Sequence, residues 1–427
     1  RVEVLKGPQG TLYGASSIGG LVKYVTVQPD THEFRVRAGL EGFSIKDAGG
    51  LGWGAQTYVN VPIAQDTLAI SGSFAWRKSP GWVDSVNNAG LTDQNDFEQR
   101  GGRAALLWQP TPQLSVKLAG IWQSLNSDGN GLYAADLAGN RLGNGHSFNN
   151  YVPESYDISL DYYSATIDYD FGAATLTSAT TYSKTKSRQV QDASYAFGVL
   201  FPLLTDGAVD PGITPFYLDL GLKKWTQEVR LTSPSGGRFE WMIGGFFTDE
   251  KTSNAQLVRS YDMSGDPIAG LDPLAIVGLP ATYKEYAIFG NATLKLAEQF
   301  DVTGGLRWAR NKQTFRQISS GAIVPQADDP GSSAESVWTF SVSPQFHINK
   351  DAMLYGRVAT GYRPGGPNVI VPNVPPTVSA DRMTNYEVGL KADLADRMVT
   401  VDVAAFWMDW TDIQVVRSFG GVNGGAN

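Results

Sequence analysis

The sequence predicts an all-β chain whose long antiparallel strands run up and down as the wall of a transmembrane β-barrel. Three observations carry that reading. Apolar residues recur at every second position, many of the runs span 10 to 15 residues, and the connections between them alternate short and long. Period two is the spacing of a strand, which sends successive side chains to opposite faces. The runs exceed the five or six residues usual in soluble sheets. Tight turns at one end and long loops at the other are what a membrane barrel needs, and a soluble sandwich has no reason to keep them in turn.

Fifteen runs follow in order: 33–46, 49–63, 66–79, 98–109, 113–126, 157–171, 173–186, 222–233, 239–253, 282–296, 299–316, 334–348, 351–362, 382–394 and 398–415. Leu68, Ile70, Phe74 and Trp76 share one face of the third, with Ser71, Ser73 and Arg77 on the other. Leu114, Val116, Leu118 and Trp122 repeat the pattern, as do Val302, Leu306 and Trp308 opposite Asp301 and Arg307, and Val399, Val401 and Val403 opposite Thr400 and Asp402. Lipid tolerates charge poorly and a lumen accepts it, so the apolar rows are expected outward. Arg307, Arg357, Arg363, Glu387 and Lys391 are expected inward. Trp and Tyr close several apolar rows, as rings at a lipid–headgroup boundary do. After a short hairpin around Asp47, short links fall at Ala64–Gln65, Pro110–Pro112, Gly172, Pro234–Arg238, Ala297–Glu298, Asn349–Lys350 and Ala395–Arg397. Long ones fall at 80–97, 127–156, 187–221, 254–281, 317–333 and 363–381.

Composition narrows the function. Charged residues make up 18% of the 427, below the roughly 25% of a soluble domain, and aromatics 11%. A net charge of −8 with no Lys/Arg-rich cluster argues against a nucleic-acid partner. Cysteine is absent, which excludes disulfides and thiolate metal sites. His32, His146 and His347 lie far apart, form no metal-ligand spacing and read as turn or loop residues. No run of 18 apolar residues offers a transmembrane helix. No GxSxG nucleophile elbow in a strand–turn–helix setting points to an enzyme, and no residue pattern marks a cofactor site.

The first 29 residues differ from the rest. Gly7, Gly10, Gly14, Gly19 and Gly20 crowd GPQGTLYGASSIGG, between a strand-like RVEVL and a strand-like LVKYVTV. The spacing matches neither GxGxxG nor GxxxxGK[ST], so compact packing explains the glycines better than a bound nucleotide.

RVEVLKGPQGTLYGASSIGGLVKYVTVQP resembles the C-terminal end of the plug domain of TonB-dependent outer-membrane receptors. Arg1, Glu3, Lys6, Gly7, Pro8, Gly14, Gly19 and Gly20 fall on that family's pattern, while its common Arg-Asn-Ala before the Ile is Ala15-Ser16-Ser17 here. Three further blocks, 283–315, 338–368 and 384–414, are similar to the family's barrel strands, including its F-x-P…G-(Y/F)-(R/K)-x-G and N-Y-E-x-G-x-K signatures. The resemblance implies residues 1–29 as the end of a plug and 30–427 as part of a barrel of the 22-stranded family pattern, with about 15 strands present. It implies active uptake of a scarce solute, a ferric siderophore first, with oligosaccharide, cobalamin or another organic solute as the alternative. It also implies TonB and its inner-membrane proton-driven complex as partners. A passive porin or a surface-binding β module are the rival readings, and the plug-like segment speaks against the porin. Tyr133, Tyr151, Tyr195, Phe216, Tyr217 and Tyr261, with His146, Phe148 and Phe197, are the loop residues available to a ligand. Both ends read as internal to a longer protein, so a TonB box, the front of the plug and about seven strands are expected beyond them.

Overall fold

The computed structural model describes residues 1–129, 132–136, 138–141, 143, 145–370, 374–419 and 422–427. A hairpin opens the chain: β1 (Val2–Lys6) pairs antiparallel with β2 (Gly20–Tyr24), and the one-turn helix α1 (Gly10–Tyr13) lies between them. One large antiparallel sheet takes up most of the rest. Its long strands are β3 (Arg35–Ser44), β4 (Leu51–Ala64), β5 (Leu68–Ser79), β6 (Phe97–Thr111), β7 (Leu114–Ser127), β8 (Ser155–Asp170), β9 (Thr175–Asp192) and β10 (Pro215–Thr232). They continue as β11 (Phe239–Val258), β12 (Ala281–Ala297), β13 (Phe300–Ser320), β14 (Ala327–Asn349), β15 (Ala352–Arg363), β16 (Asp381–Leu394) and β17 (Val399–Thr411).

All fifteen expected strands are present, each paired with its neighbours in chain order. Among the described residues β3 pairs only with β4 and β17 only with β16.

Most of the differences from the sequence reading lie at the long-loop end. Ala275–Gly278 is an extra short strand inserted between the upper ends of β11 and β13. β10 begins seven residues earlier than 222, so Phe216 and Tyr217 are strand residues and not loop residues. Period two continues through PFYLDLGLKK, and Pro215 sits at the strand's first position, where it breaks no ladder bond. β13 and β14 extend until only 321–326 separates them, where a long link at 317–333 was expected. His347 lies within β14, with Nε2 2.8 Å from Asp301 Oδ2, and so is not a turn residue.

The sheet curls around the hairpin, as two contacts with the first residues require. Arg103 of β6 donates to Thr26 Oγ1 at 3.3 Å, next to Val25, whose N–H donates to Arg1 O. Arg357 of β15 donates to Lys6 O at 3.2 Å, at the other end of β1. A five-residue strand is about 17 Å long. Nine strand-to-strand steps separate β6 from β15, about 43 Å if the sheet were flat. Both walls reach one short hairpin only if the sheet bends round it.

These contacts also fix which face is inner. Ser73 is directly opposite Arg103 in the ladder, so Ser71, Ser73 and Arg77 face inward, and Leu68, Ile70, Phe74 and Trp76 outward. Val59, Val61, Ile70, Leu106 and Leu118 form a continuous outer apolar surface, closed above by Trp122, whose indole N–H donates to Tyr163 Oη at 3.1 Å. Trp76 ends its row with its N–H on Glu98 Oε1 at 2.6 Å, an apolar ring with a wetted tip.

Candidate functional site

The densest site is where residues 7–18 meet the inner face of β12–β16. Gly7 has φ +69° and Gly14 φ +74°, conformations that glycine adopts without steric cost. They turn the chain on either side of α1 and press its backbone to the wall. A Cβ on Gly10 would lie 2.7 Å from Thr360 O, and one on Gly14 2.8 Å from Arg307 Nη2. Thr11 Oγ1 lies 3.4 Å from Ser341 Oγ. Ser16 N–H donates to Tyr362 O at 2.9 Å.

The wall answers with two arginines. Arg357 donates to Lys6 O at 3.2 Å and to Pro8 O at 2.7 Å, gripping the Gly7 turn on both sides. Arg307 lies behind Gly14, 3% exposed, between the rings of Phe246 and Phe289 at 5.3 and 5.5 Å. Its partner Glu285 is also 3% exposed, with the ion pair at 2.6 Å. The same carboxylate accepts from Tyr283 Oη at 2.5 Å and Tyr362 Oη at 3.4 Å. A buried pair needs this many partners because desolvation otherwise outweighs the Coulomb attraction. Ala15-Ser16-Ser17 lacks the family's arginine, yet the polar contact persists because the wall supplies the guanidinium groups.

The remaining motif residues serve the hairpin. Glu3 bridges Arg1 at 2.6 Å and Lys23 at 3.3 Å, and the two cations hold its carboxyl below the usual range. Gly20, with φ +126°, packs against Leu5 O, whereas a side chain on Gly19 would meet nothing within 4 Å. Of the other inward charges, Glu387 accepts from Tyr355 Oη at 2.6 Å, Lys391 Nζ lies 5.7 Å from the Tyr355 ring centre, and Arg363 pairs with Asp381 at 2.5 Å. Sequence reasoning did not single out Glu285 or Tyr362, nor Thr339 and Asn385, whose side chains would lie 3.0 and 3.3 Å from a Cβ placed on Gly10 and Gly7. The inward parity of YKEYAIF was the available signal for Glu285.

Above the wall the loop aromatics are parcelled out. Tyr151 and Tyr195 stack with centroids 5.8 Å apart, and Asn87 Nδ2 donates to Tyr195 Oη at 2.5 Å. Tyr133 lies under Arg141 at 4.6 Å and Tyr261 under Arg259 at 5.2 Å. Phe148 pairs with Ser85, and His146 Nδ1 is 3.9 Å from Asp47. Phe197 and Phe216 pack on a buried cluster of Phe201, Val258, Leu271 and Leu274, while Tyr217 is exposed. Tyr151 and Tyr195 are the two candidates brought into mutual ring contact. Arg259 holds Asp272 in a bidentate pair at 2.7 and 2.5 Å, which keeps the Asp272 carboxyl below its ordinary range.

The family described as TonB dependent receptor-like, beta-barrel, matches residues 118–427. The pesticin receptor of Yersinia pestis is 26% identical over 97% of this chain, and the ferric enterobactin receptor of Pseudomonas aeruginosa 22% identical over 84%. The chain spans 56% and 48% of their lengths. The crystal structure of the ferric yersiniabactin uptake receptor FyuA from Yersinia pestis superposes with a TM-score of 0.79 at 20% identity, covering 97% of this chain and 60% of that one. The ferric-catecholate import receptor Fiu of Escherichia coli gives 0.71 at 18%, covering 96% and 65%.

Proposed function

We infer the function from one premise: the chain belongs to the TonB-dependent receptor-like β-barrel family, whose barrels lie in the outer membrane. We propose that residues 1–29 are the C-terminal end of the plug and that 30–427 are barrel wall with extracellular loops. In the whole receptor, a scarce solute binds at the loop layer and the plug apex. It then passes inward when the plug is pulled by TonB, driven by the inner-membrane proton-powered complex.

The observation that carries this reading is the grip of Arg357 on Lys6 O and Pro8 O. A passive pore has no use for a segment clamped across its lumen, whereas a gate does. The contacts are mostly to backbone carbonyls and glycine turns, so they hold the segment's shape rather than recognise a ligand. A ferric siderophore is the proposed solute, by analogy with the ferric yersiniabactin, ferric enterobactin and ferric-catecholate receptors that this chain is similar to.

The test is radio-iron accumulation by the full-length receptor in a strain stripped of other siderophore receptors, with and without TonB. Accumulation from at least one ferric siderophore, lost without TonB, is expected. Uptake indifferent to TonB would overturn the gate. TonB-dependent uptake of cobalamin or an oligosaccharide, with no ferric siderophore accepted, would reassign the solute.

A further inference from the structure

The outer wall carries a charge pattern that uptake does not explain. Lys184, Lys223 and Lys251 are direct cross-strand partners on β9, β10 and β11. Direct partners share a face, and like charges placed so repel. The face is the outer one. Tyr182 lies two residues below Lys184 on it, opposite Tyr163 and Trp225, and Tyr163 touches Trp122 of the outer apolar surface. Among the described residues no ion pair holds Lys184, Lys186, Lys223 or Lys251, although nearby Lys284 has Asp249 at 3.1 Å and Arg188 has Asp219 at 3.3 Å. On the neighbouring strand Asp161 stands directly opposite Lys184 on this face, and Asp157 opposite Arg188.

The lysines border a recess of 440 Å³ with Gly221 as its floor. Gly221 stands in register between Lys186 and Ser253, and a Cβ there would come within 2.5 Å of Ser253 Oγ. The notch is kept open by the missing side chain; four lysines, the Ser253 hydroxyl and the mutually paired Arg188 and Asp219 border it, so cations outnumber its one carboxylate.

Its height is informative. The outer ring line steps from Trp225 through Phe247 and Tyr286 to Trp308, and a cation follows one or two outward positions above it on each strand: Lys223, Lys251, Lys284 and Arg310. Rings of this kind mark the edge of the hydrocarbon, so the cations lie at headgroup level on the long-loop side. Lysine stems can rest on the apolar wall while their ammonium groups reach that layer. The protein's net charge is −8, so a cationic belt is not its average surface.

We propose that this recess binds a phosphate of an outer-leaflet glycolipid, with Lys184, Lys223 and Lys251 as the ligating cations and Lys186 and Ser253 at its margin. Compact ammonium point charges suit a phosphate dianion. A bound phosphate also relieves the repulsion among the three lysines. The inference rests on the membrane embedding of the wall and not on any uptake activity.

The test uses the full-length receptor in detergent micelles, titrated with lipid A and read by native mass spectrometry. Diphosphorylated lipid A is expected to remain bound to the wild type, and the triple variant K184Q/K223Q/K251Q to bind at least tenfold more weakly. The triple arginine variant should keep binding within about threefold. Fully dephosphorylated lipid should lose as much affinity on the wild type as the glutamine variant loses with the phosphorylated form. Millimolar inorganic phosphate should not displace the lipid. Wild-type affinity in a glutamine variant that shows normal heat-modifiable mobility would overturn the site. So would equal binding of dephosphorylated lipid, an arm that decides the question even if the variant does not fold. Displacement by inorganic phosphate would overturn the lipid assignment and leave a free-anion site.

Discussion

The inner face of β12–β16 is packed shut against residues 7–18, whereas the inner face of β3–β7 stands open over a recess of 990 Å³ lined by Arg37, Tyr58, Ser73 and Arg103. On the closed side Phe289, Arg307, Ala309, Val337, Thr339 and Ala359 are almost wholly buried. On the open side, among the described residues, the one hydrogen bond to the first 29 residues is that of Arg103 to Thr26. Both walls carry inward arginines, but Arg307 and Arg357 lie against the segment, whereas Arg103 meets it at Thr26 and Arg77 turns to Glu41 and Phe43. The first residues are thus held by many contacts to one part of the sheet and touch the other at a single residue pair.

The largest effect that tests this contrast is removal of a buried cation. Arg307→Ala strands Glu285 without its charge partner, and should cost about 3–5 kcal/mol. Arg103→Ala on the open side should cost less than about 1 kcal/mol. Urea unfolding of the refolded full-length receptor measures both, and equal costs would erase the asymmetry. Next is the grip on the Gly7 turn. Arg357→Ala removes two charged donors from backbone carbonyls and should cost about 1.5–3 kcal/mol. Hydrogen exchange should localise that loss to residues 6–14, and unchanged protection there would show the grip to be incidental.

The glycines sharpen the same comparison. Gly14→Ala meets both a positive φ and Arg307, for about 1–3 kcal/mol, while Gly19→Ala should stay within about 0.5 kcal/mol. Thermal shift of the two variants in one micelle is the check.

The smallest effects are in the loops, and they carry opposite signs. The Asp272 carboxyl is depressed by its hydrogen bonds from Arg259. It therefore supports loop 259–274 above its unfolded pKa of about 3.9, and that support is lost as pH falls through its lower folded value. Glu154 is raised by burial. It opposes folding above its folded pKa, and acidification through that value should tighten the turn that enters β8. Hydrogen exchange near pH 5 and near pH 3 separates the two. Loosening of both loops by acid in parallel would contradict the assignments.

The wall was legible in the sequence because lipid on one face and a lumen on the other impose period two on every strand. Leu306 and Trp308 could face nowhere but outward once Arg307 was turned in. The upper strand ends were less legible. Above the hydrocarbon the outer face no longer has to be apolar, so polar residues such as Asp219 and Lys223 do not reveal a side, and β10 seemed to start at 222. The inner site was half legible. Gly7, Pro8 and Gly14 announced tight packing, and Arg307 and Arg357 an inward charge. Which arginine meets which glycine depends on the docking of α1 across four strands distant in sequence, and no local pattern encodes that. The pairing of lysines across β9–β11 was hidden for the same reason, since register is a property of the sheet.

The central claim is that the first residues are docked on the inner face of β12–β16. Because the chain contains no cysteine, an engineered pair reports without interference. Thr11→Cys with Ser341→Cys places two thiols where the hydroxyl oxygens now lie 3.4 Å apart, and Thr11→Cys with Ser73→Cys places the second thiol on the open wall. In the full-length receptor in isolated outer membranes, mild oxidation is expected to cross-link the first pair almost completely and the second hardly at all. Equal cross-linking of the two pairs, or a first pair that stays reduced and reacts freely with a maleimide too large to enter the barrel, would contradict the account.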